Sequence, residues 1–143
     1  FLEHPEFPSE LIRFEITETS YAALEENVGR VLNKIKKKGA WILLDDFGSG
    51  YSSFNMLQRF SFDILKIDMS FTREIEMNSR TRRLIPLIIE TAHALDAKTV
   101  AEGAETKEQV EFLRNHGCDY IQGYYFYRPL KKDEFSEKLD QNS

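Results

Sequence analysis

Charged side chains stand at the ends of short apolar segments along this 143-residue chain. If those ends meet, neighbouring carboxylates raise one another's pKa values unless cations are present. Since every candidate anionic ligand is an oxygen donor, Mg²⁺ or Mn²⁺ fits better than a thiolate-bound metal. Two such ions activate a water and hold the attacking and leaving oxygens of a phosphodiester. The residues that suggest this chemistry are Glu15, Asp45, Asp46, Lys66 and Glu102.

Lys66 is the cation of this group. An ammonium is costly to bury unless carboxylates neutralise it, and the acidic members of the group supply that charge. Lys66 is therefore a candidate for orienting a nucleophilic water or stabilising charge at phosphorus. Taken singly, each of these residues is better explained by a solvated strand end. Five successive strands that each end in a polar side chain of a functional type favour a site instead.

The apolar segments that carry these residues alternate with amphipathic ones. Such alternation predicts a parallel sheet with right-handed crossovers. The predicted strands are 11–16, 40–46, 62–67, 98–102 and 119–124. The predicted helices are 21–38, 53–59, a segment around Pro86, a segment capped by Thr106 and Gln109 and closed by Gly117, and a polar segment after Pro129.

The helix around Pro86 is the least regular of these elements. A proline inside a helix costs about 3 kcal/mol. The sequence therefore predicts a helix that begins near Arg83 or kinks at the proline. Its predicted core face consists of Leu84, Leu87, Ile88, Thr91, Ala92 and Leu95.

A period of two along each strand places the polar strand ends on one face. Catalytic groups at the carboxyl ends of successive strands are typical of a (β/α)₈ barrel rather than of an open doubly wound sheet. Five units are too few to close a barrel. The expected fold is α/β, a partial (β/α)₈ TIM-type barrel of about five parallel strands with flanking helices and without the N-terminal strands. The residues that share this face are Trp41, Leu43 and Asp45; Phe62, Ile64 and Lys66; Val100 and Glu102; and Tyr120 and Gln122.

Composition excludes several classes of protein. Eleven Phe and six Tyr are enough for a core. The formal charge of −5 argues against a protein that binds a nucleic acid polymer through its phosphates. The single cysteine, Cys118, cannot form an internal disulfide, and no apolar stretch reaches the length of a membrane span. A soluble, cytoplasmic segment is expected, and the start at Phe1 suggests that it comes from a larger polypeptide.

Several other features are weaker candidates for a site. The Gly48-Ser49-Gly50 loop lacks the lysine and spacing of a P-loop, so a mobile lid or dimer-coupling loop is the better interpretation. His4, His93 and His116 have no ligand or triad spacing and are expected at the surface or hydrogen-bonded. The segment 124–127 follows a strand end and could contact a base through its tyrosines.

Five motifs, in this order, resemble the EAL-domain cyclic di-GMP phosphodiesterases. They are FEITE (14–18), DDFGSGYSS (45–53), LKID (65–68), AEGAET (101–106) and QGYYFYRP (122–129). The resemblance implies that residues 1–143 are the C-terminal, incomplete portion of a single EAL-type barrel domain. It further implies hydrolysis of cyclic di-GMP to linear pGpG in bacterial signalling, with two Mg²⁺ or Mn²⁺ ions.

The resemblance also implies individual roles. Glu15 would bind the first metal, Asp45 would bridge both, and Asp46 would bind the second. Glu102 would be a second-metal ligand or general base, and Lys66 would hold the attacking water. The remaining implied positions are Gln122 and Tyr127 at the substrate, Glu18 as the anchor of the loop after Asp46, and Asp68 and Glu105 as supports behind the site.

The family's name-giving Glu-x-Leu segment and a metal-binding Asn lie on earlier strands and are not matched here. An active parent domain and an inactive isolated segment are therefore expected. Two alternatives remain open: a sensor that binds cyclic di-GMP without cleaving it, and a protein-interaction module. Because unpaired strand edges invite partners, a homodimer or other self-association through the first and last strands is expected.

Overall fold

The computed structural model describes residues 8–17, 28–48, 57–58 and 61–141. Its five strands are all parallel and lie in the sheet in the order in which they occur in the chain. This arrangement confirms the predicted α/β class. The strands are β1 Arg13–Thr17, β2 Trp41–Phe47, β3 Ile64–Ile67, β4 Lys98–Ala101 and β5 Tyr120–Ile121.

Helices connect and follow these strands. The short α2, which follows β3 directly, was not predicted. The predicted helix 53–59 and the first part of helix 21–38 lie mostly outside the described residues. The helices are α1 Val28–Lys37, α2 Met69–Glu74, α3 Ser79–Ala94, α4 Lys107–Asn115 and α5 Lys132–Gln141, and a 3-10 turn, Ser9–Leu11, precedes β1.

The last strand is much shorter than predicted, because the chain turns away after Ile121. Gly123 packs directly on the backbone of Ala104, and a Cβ built on this glycine would lie 2.1 Å from the Ala104 carbonyl oxygen. The Phe126 N–H then donates to the Gly123 carbonyl at 3.1 Å, which closes a turn. A strand that continued through Gly123 would lose this close contact.

Helix α3 corrects two expectations. It begins at Ser79 and runs through Pro86 without a break, so it does not start near Arg83. The Asn78 side chain caps it by accepting hydrogen bonds from the N–H groups of Arg80 and Thr81. This cap and the burial of the helix's core face offset the cost of the proline.

The core face of α3 also differs from the prediction. Its buried residues are Thr81, Ile85, Ile89 and Ala92. Of the predicted set only Ala92 is buried, whereas Leu84, Leu87 and Leu95 are exposed. The helix carries two apolar stripes, and periodicity alone could not tell which one faces the sheet.

The main core lies between the helices and one face of the sheet. Ile42 and Leu44 of β2 and Leu65 of β3 are almost completely buried there. They pack with Ile85 and Ile89 of α3 in one cluster. The alternating residues of the same strands point to the opposite face, which is the face of the candidate site. None of the helices in the described ranges is both long and apolar enough to cross a membrane.

Asp63, just before β3, connects elements at the amino-terminal end of the sheet. Asp63 Oδ2 accepts a hydrogen bond from the Ile42 N–H of β2 at 2.8 Å. Its other oxygen pairs with the Lys36 ammonium of α1 at 2.9 Å. One carboxylate therefore joins β2, the start of β3 and α1, the helix that precedes β2.

Asp119, just before β5, also joins two strands and a helix. Asp119 Oδ2 accepts hydrogen bonds from the Thr99 N–H at 2.8 Å and the Thr99 hydroxyl at 2.9 Å. His93 of α3 contacts this oxygen at 2.9 Å through Nε2, so the histidine is hydrogen-bonded as expected. Burial opposes ionisation of Asp119, but the bonds from His93 and Thr99 prevail and hold its pKa below the ordinary value of 3.8.

Replacing Asp119 with asparagine should lower the free energy of unfolding at pH 7 by about 1–2 kcal/mol, because charge-assisted hydrogen bonds are lost. A lowered folded-state pKa gives stability that is present above pH 3.8 and is lost as the pH falls through the folded-state pKa. The difference from wild type should therefore shrink below pH 3.8, as measured by chemical denaturation across that range. Asp140→Asn, on the exposed surface of α5, is the control and should change little. A difference that stays constant with pH would contradict the assignment.

Candidate active site

The face of the sheet opposite the core opens into a cavity of about 490 Å³. Because parallel strands share their carboxyl-terminal edge, the polar residues at these ends meet at its mouth. The predicted alternation is confirmed, since the residues expected on one face line the cavity, apart from Asp45 and Phe62. The lining residues are Arg13, Glu15, Trp41, Leu43, Ile64, Lys66, Val100, Glu102, Tyr120, Ile121 and Gln122.

Lys66 occupies the centre of the polar group. Its Nζ lies 2.8 Å from Asp45 Oδ1 and 2.9 Å from Glu102 Oε1. Glu15 Oε1 lies 3.3 Å from the same atom. Residues from β1, β2, β3 and the loop after β4 are therefore brought to one point.

The electrostatics of Lys66 follow from these contacts. Burial favours the neutral amine, but the hydrogen bonds to Asp45 and Glu102 prevail and raise the pKa of Lys66 above its ordinary value. Lys66 is therefore a fixed cation across the neutral range. Three carboxylates still surround one ammonium, so the cluster keeps an excess of negative charge.

Asp46 sits where β2 leaves the regular ladder. The register between β2 and β3 shifts between Leu44 and Phe47. Asp46 has a φ of 56°, and its N–H donates to Asp45 Oδ1 at 3.0 Å. Burial and the nearby charges of Asp45 and Asp68 raise the pKa of Asp46. The local irregularity thus brings two adjacent aspartates to the same region, which a regular strand could not do.

The donor set fits a divalent cation in chemical type, because Glu15 of β1, Asp45 of β2 and Glu102 after β4 present carboxylate oxygens. Within the described residues, however, no three His, Cys, Asp or Glu side chains are arranged to hold an ion. The point on which the carboxylates converge is held by the Lys66 ammonium. An ion at this point would share the carboxylates with Lys66 or displace it.

The two predicted substrate residues lie in adjoining spaces. Gln122 lines the main cavity and also a second cavity of about 420 Å³. Tyr127 lines only the second cavity, together with Arg128 and Lys138. The Arg128 guanidinium lies 4.6 Å from the centre of the Tyr124 ring. The second cavity therefore combines aromatic rings with cationic groups.

The predicted supporting residues lie farther from the cluster. Asp68 caps α2 by accepting from the Ser70 N–H at 2.9 Å, and its charge reaches Asp46. Glu105 pairs with Arg73 of α2 at 3.4 Å. Glu18 lies outside the described residues.

Two glycines let the loops at this end of the sheet pack closely. A Cβ on Gly48, at φ 96°, would lie 2.5 Å from the Phe71 ring of α2. A Cβ on Gly103, at φ 72°, would lie 2.6 Å from Met69 Cβ. Helix α2 therefore packs against both the loop after Asp46 and the loop after Glu102.

The sequence interpretation missed α2 and also Arg13. Arg13 lines the cavity, and its guanidinium lies 5.1 Å from the centre of the Trp41 ring. It is two residues before Glu15 on β1, so the period of two would have identified it. It adds a second cation to the cavity.

Replacing Lys66 with methionine should lower the free energy of unfolding by about 2 kcal/mol, because three carboxylates then repel one another. This loss is smaller than that expected for a fully buried ion pair. Mg²⁺ or Mn²⁺ should raise the melting temperature of this variant more than that of wild type, since the carboxylates no longer bind an ammonium. Differential scanning calorimetry with divalent salt, and with NaCl at equal ionic strength, measures this.

The matched control is Lys98→Met, which removes a lysine from the neighbouring strand at a position that contacts Tyr120 rather than the carboxylates. Its melting temperature should respond to divalent salt as wild type does. Equal responses of the Lys66 and Lys98 variants would show that the carboxylates do not act as a group.

Comparison with known proteins agrees with this geometry. A family model described as the EAL domain matches residues 1–129. The probable cyclic di-GMP phosphodiesterase PdeB of Escherichia coli K12 is 39% identical over 141 residues, covering 99% of this chain and 26% of PdeB. The EAL domain protein of Listeria monocytogenes superimposes with a TM-score of 0.83 at 39% identity, covering 96% of this chain and 54% of that one. The manganese and cy-diGMP complex of Klebsiella pneumoniae BlrP1 superimposes with a TM-score of 0.80 at 30% identity, covering 86% and 31%.

The chain spans about a quarter of PdeB and about half of the Listeria protein. Its five parallel strands correspond to part of the TIM-type barrel of those EAL domains. The family match covers most of the residues, including all the polar strand ends described above. This chain belongs to the EAL domain family.

Proposed function

We propose that residues 1–143 are the C-terminal portion of one EAL-type barrel domain that hydrolyses cyclic di-GMP to linear pGpG in bacterial second-messenger signalling. The observation that carries the proposal is the convergence of Glu15, Asp45 and Glu102 on Lys66 Nζ at the carboxyl ends of the strands. The similarity to PdeB and to the BlrP1 complex supports this substrate. We place the reaction in the cytoplasm, since Cys118 needs no disulfide partner.

The proposed cofactor is a pair of Mg²⁺ or Mn²⁺ ions. Glu15 would hold the first ion, Asp45 would bridge both, and Asp46 and Glu102 would hold the second. Bound divalent ions lower the pKa of a water and neutralise charge on a phosphodiester. The oxygen donors of this cluster suit such hard cations.

Lys66 and Glu102 are the proposed groups that act on the attacking water. Their hydrogen bond of 2.9 Å fixes the two groups side by side. Lys66 would donate to the oxygen of the attacking water, and Glu102 would accept its proton. An ammonium carries three N–H donors and no acceptor, so Lys66 would serve as a hydrogen-bond donor rather than a base.

The second cavity is the proposed place for part of the nucleotide. Gln122 joins it to the main cavity, so a ligand could extend from one to the other. Tyr127 and Tyr124 offer rings on which a base can stack, and Arg128 offers a cation for a phosphate. An anionic dinucleotide would meet local positive charge here despite the chain's net charge of −5.

We propose that the 143-residue chain alone does not turn over substrate. It spans 54% of the length of the Listeria EAL domain protein. The ligands that the resemblance places on earlier strands would have to come from the rest of such a domain. Residues that close the barrel would also cover the open side of the cavity.

We also propose that the chain self-associates. In the described sheet β1 and β5 are the edge strands. The outer backbone groups of a sheet edge can pair with another chain. The edge of β1, with five residues, offers more pairing positions than the two-residue β5.

Asp45→Asn in a protein that contains the whole domain should reduce production of linear pGpG by a factor of at least about 100, because a neutral amide at this position weakens binding of both cations and the hold on Lys66. The measurement is chromatographic separation of cyclic di-GMP and pGpG after incubation with Mg²⁺ or Mn²⁺. The isolated 143-residue chain should yield no product under the same conditions.

Asp63→Asn is the matched control, since Asp63 binds a strand and a lysine at the opposite end of the sheet. It should leave turnover close to that of wild type in the folded fraction. Undiminished turnover in the Asp45 variant would refute the proposed role of this residue. Binding of cyclic di-GMP without any product from the wild-type domain would favour the sensor instead.

A further inference from the structure

The two adjoining cavities differ in the charge of their walls. The main cavity is lined by the carboxylates of Glu15 and Glu102 around Lys66. The second cavity, of about 420 Å³, is lined by the cations Arg128 and Lys138. No Asp or Glu is among the described residues that line this second cavity. An anionic group therefore meets favourable charge in the second cavity without the help of a metal ion.

Lys138 belongs to helix α5, Lys132–Gln141. The family model matches residues 1–129, and the last of the five motifs ends at Pro129. The resemblance to the family therefore assigns no role to this lysine. Its place at the second cavity follows from the course of α5 alone.

Helix α5 turns one side toward the cavity. The α5 residues that line the cavity are three and four positions apart, so they share a face of the helix. They are Phe135, Lys138 and Leu139. The spacing of the acidic residues Asp133, Glu137 and Asp140 places them on the opposite side of the helix. The lysine thus brings positive charge to the cavity while these three carboxylates point away from it.

Two tyrosine rings lie beside the two cations. The Arg128 guanidinium lies 4.6 Å from the centre of the Tyr124 ring. The Lys138 ammonium lies 5.9 Å from the centre of the Tyr127 ring. A cation is attracted to the face of an aromatic ring, so each ring helps to keep its cation at the cavity wall. Both groups retain N–H donors that can bind an anion.

We infer that Lys138 is a substrate-binding residue which, together with Arg128, binds the phosphate of cyclic di-GMP that is not cleaved. The inference rests on the proposed function. Cyclic di-GMP contains two phosphodiester groups, and each carries a negative charge. One of them would react at the ions proposed for the main cavity. Because Gln122 lines both cavities, one ligand can place its other phosphate in the second cavity.

The walls of the second cavity favour this kind of ligand over others. An apolar ligand would fit against Leu130, Phe135 and Leu139 but would make no use of the two charges. A cationic ligand would be repelled by Arg128 and Lys138. A phosphate attached to a sugar and a base offers both an anion and an apolar surface, and it therefore matches the whole lining.

Replacement of Lys138 by methionine in a protein that contains the whole domain tests the inference. The KM for cyclic di-GMP should rise by about threefold to tenfold, because one charge-assisted contact is lost. The kcat should stay within about twofold of wild type, since a phosphate that does not react is held equally in the ground state and the transition state. Steady-state production of linear pGpG measures both constants.

Two further variants separate charge from structure. Lys138→Arg keeps the charge, so its KM should stay within about twofold of wild type. Lys132→Met is the matched control, because Lys132 is an exposed lysine of the same helix that is not among the residues lining the cavity. Its KM should equal that of wild type. Melting temperatures of all variants check that the fold is kept.

Binding without turnover gives an independent measurement. Isothermal titration calorimetry with cyclic di-GMP in EDTA should show a dissociation constant raised by about threefold to tenfold in Lys138→Met. An increase in NaCl from about 50 mM to about 300 mM should weaken binding to wild type more than binding to this variant, because salt screens the contact that the variant lacks.

The outcomes distinguish this inference from the proposed function. A wild-type domain that neither binds nor cleaves cyclic di-GMP would overturn both. Binding without product would overturn the hydrolysis alone, and the dissociation constants would still decide the role of Lys138. Equal KM and dissociation constants for the Lys138→Met and Lys132→Met variants would overturn the role of Lys138 alone. Weaker binding in Lys138→Met, but not in Lys138→Arg or Lys132→Met, would establish it.

Discussion

The Lys66 ammonium holds together a site that would otherwise repel itself. It contacts carboxylates from β1, β2 and the loop after β4 within 3.3 Å. Parallel strands force these groups together, because their carboxyl ends share one edge. The Lys66 ammonium offsets part of the repulsion among these carboxylates. The excess of negative charge that remains is the physical basis for the affinity that we propose for divalent ions.

The two ends of the sheet serve different purposes. At the amino-terminal end, Asp63 and Asp119 each join two neighbouring strands and a helix with short hydrogen bonds. These contacts stabilise the sheet far from the cavity. At the carboxyl-terminal end, Gly48 and Gly103 let the loops close on α2. The hydrogen-bonded aspartates that join strands and helices thus lie at the end of the sheet opposite the carboxylate cluster.

Helix α3 carries two apolar stripes with different surroundings. One stripe, with Ile85 and Ile89, packs on the sheet, and the other, with Leu87, faces outward. The helix lies between β3 and β4, so in the chain it follows Lys66 and precedes Glu102. The same helix supplies His93 to the Asp119 contact. Helix α3 therefore supports the strands that form the site.

The sequence by itself determined most of the residues that line the cavity, because a period of two along a parallel strand places alternate residues on one face. It missed Arg13, and it wrongly included Asp45 and Phe62. It also determined the cap of α4, where Thr106 and Gln109 bond each other's backbone groups. The core face of α3 required the tertiary structure, since two apolar stripes on one helix are equivalent until a sheet is present. The placement of Asp46 also required it, because a register shift between β2 and β3 depends on both strands. Local patterns record periodicity and caps, whereas the choice of packed face and the convergence on Lys66 depend on contacts between residues far apart in the chain.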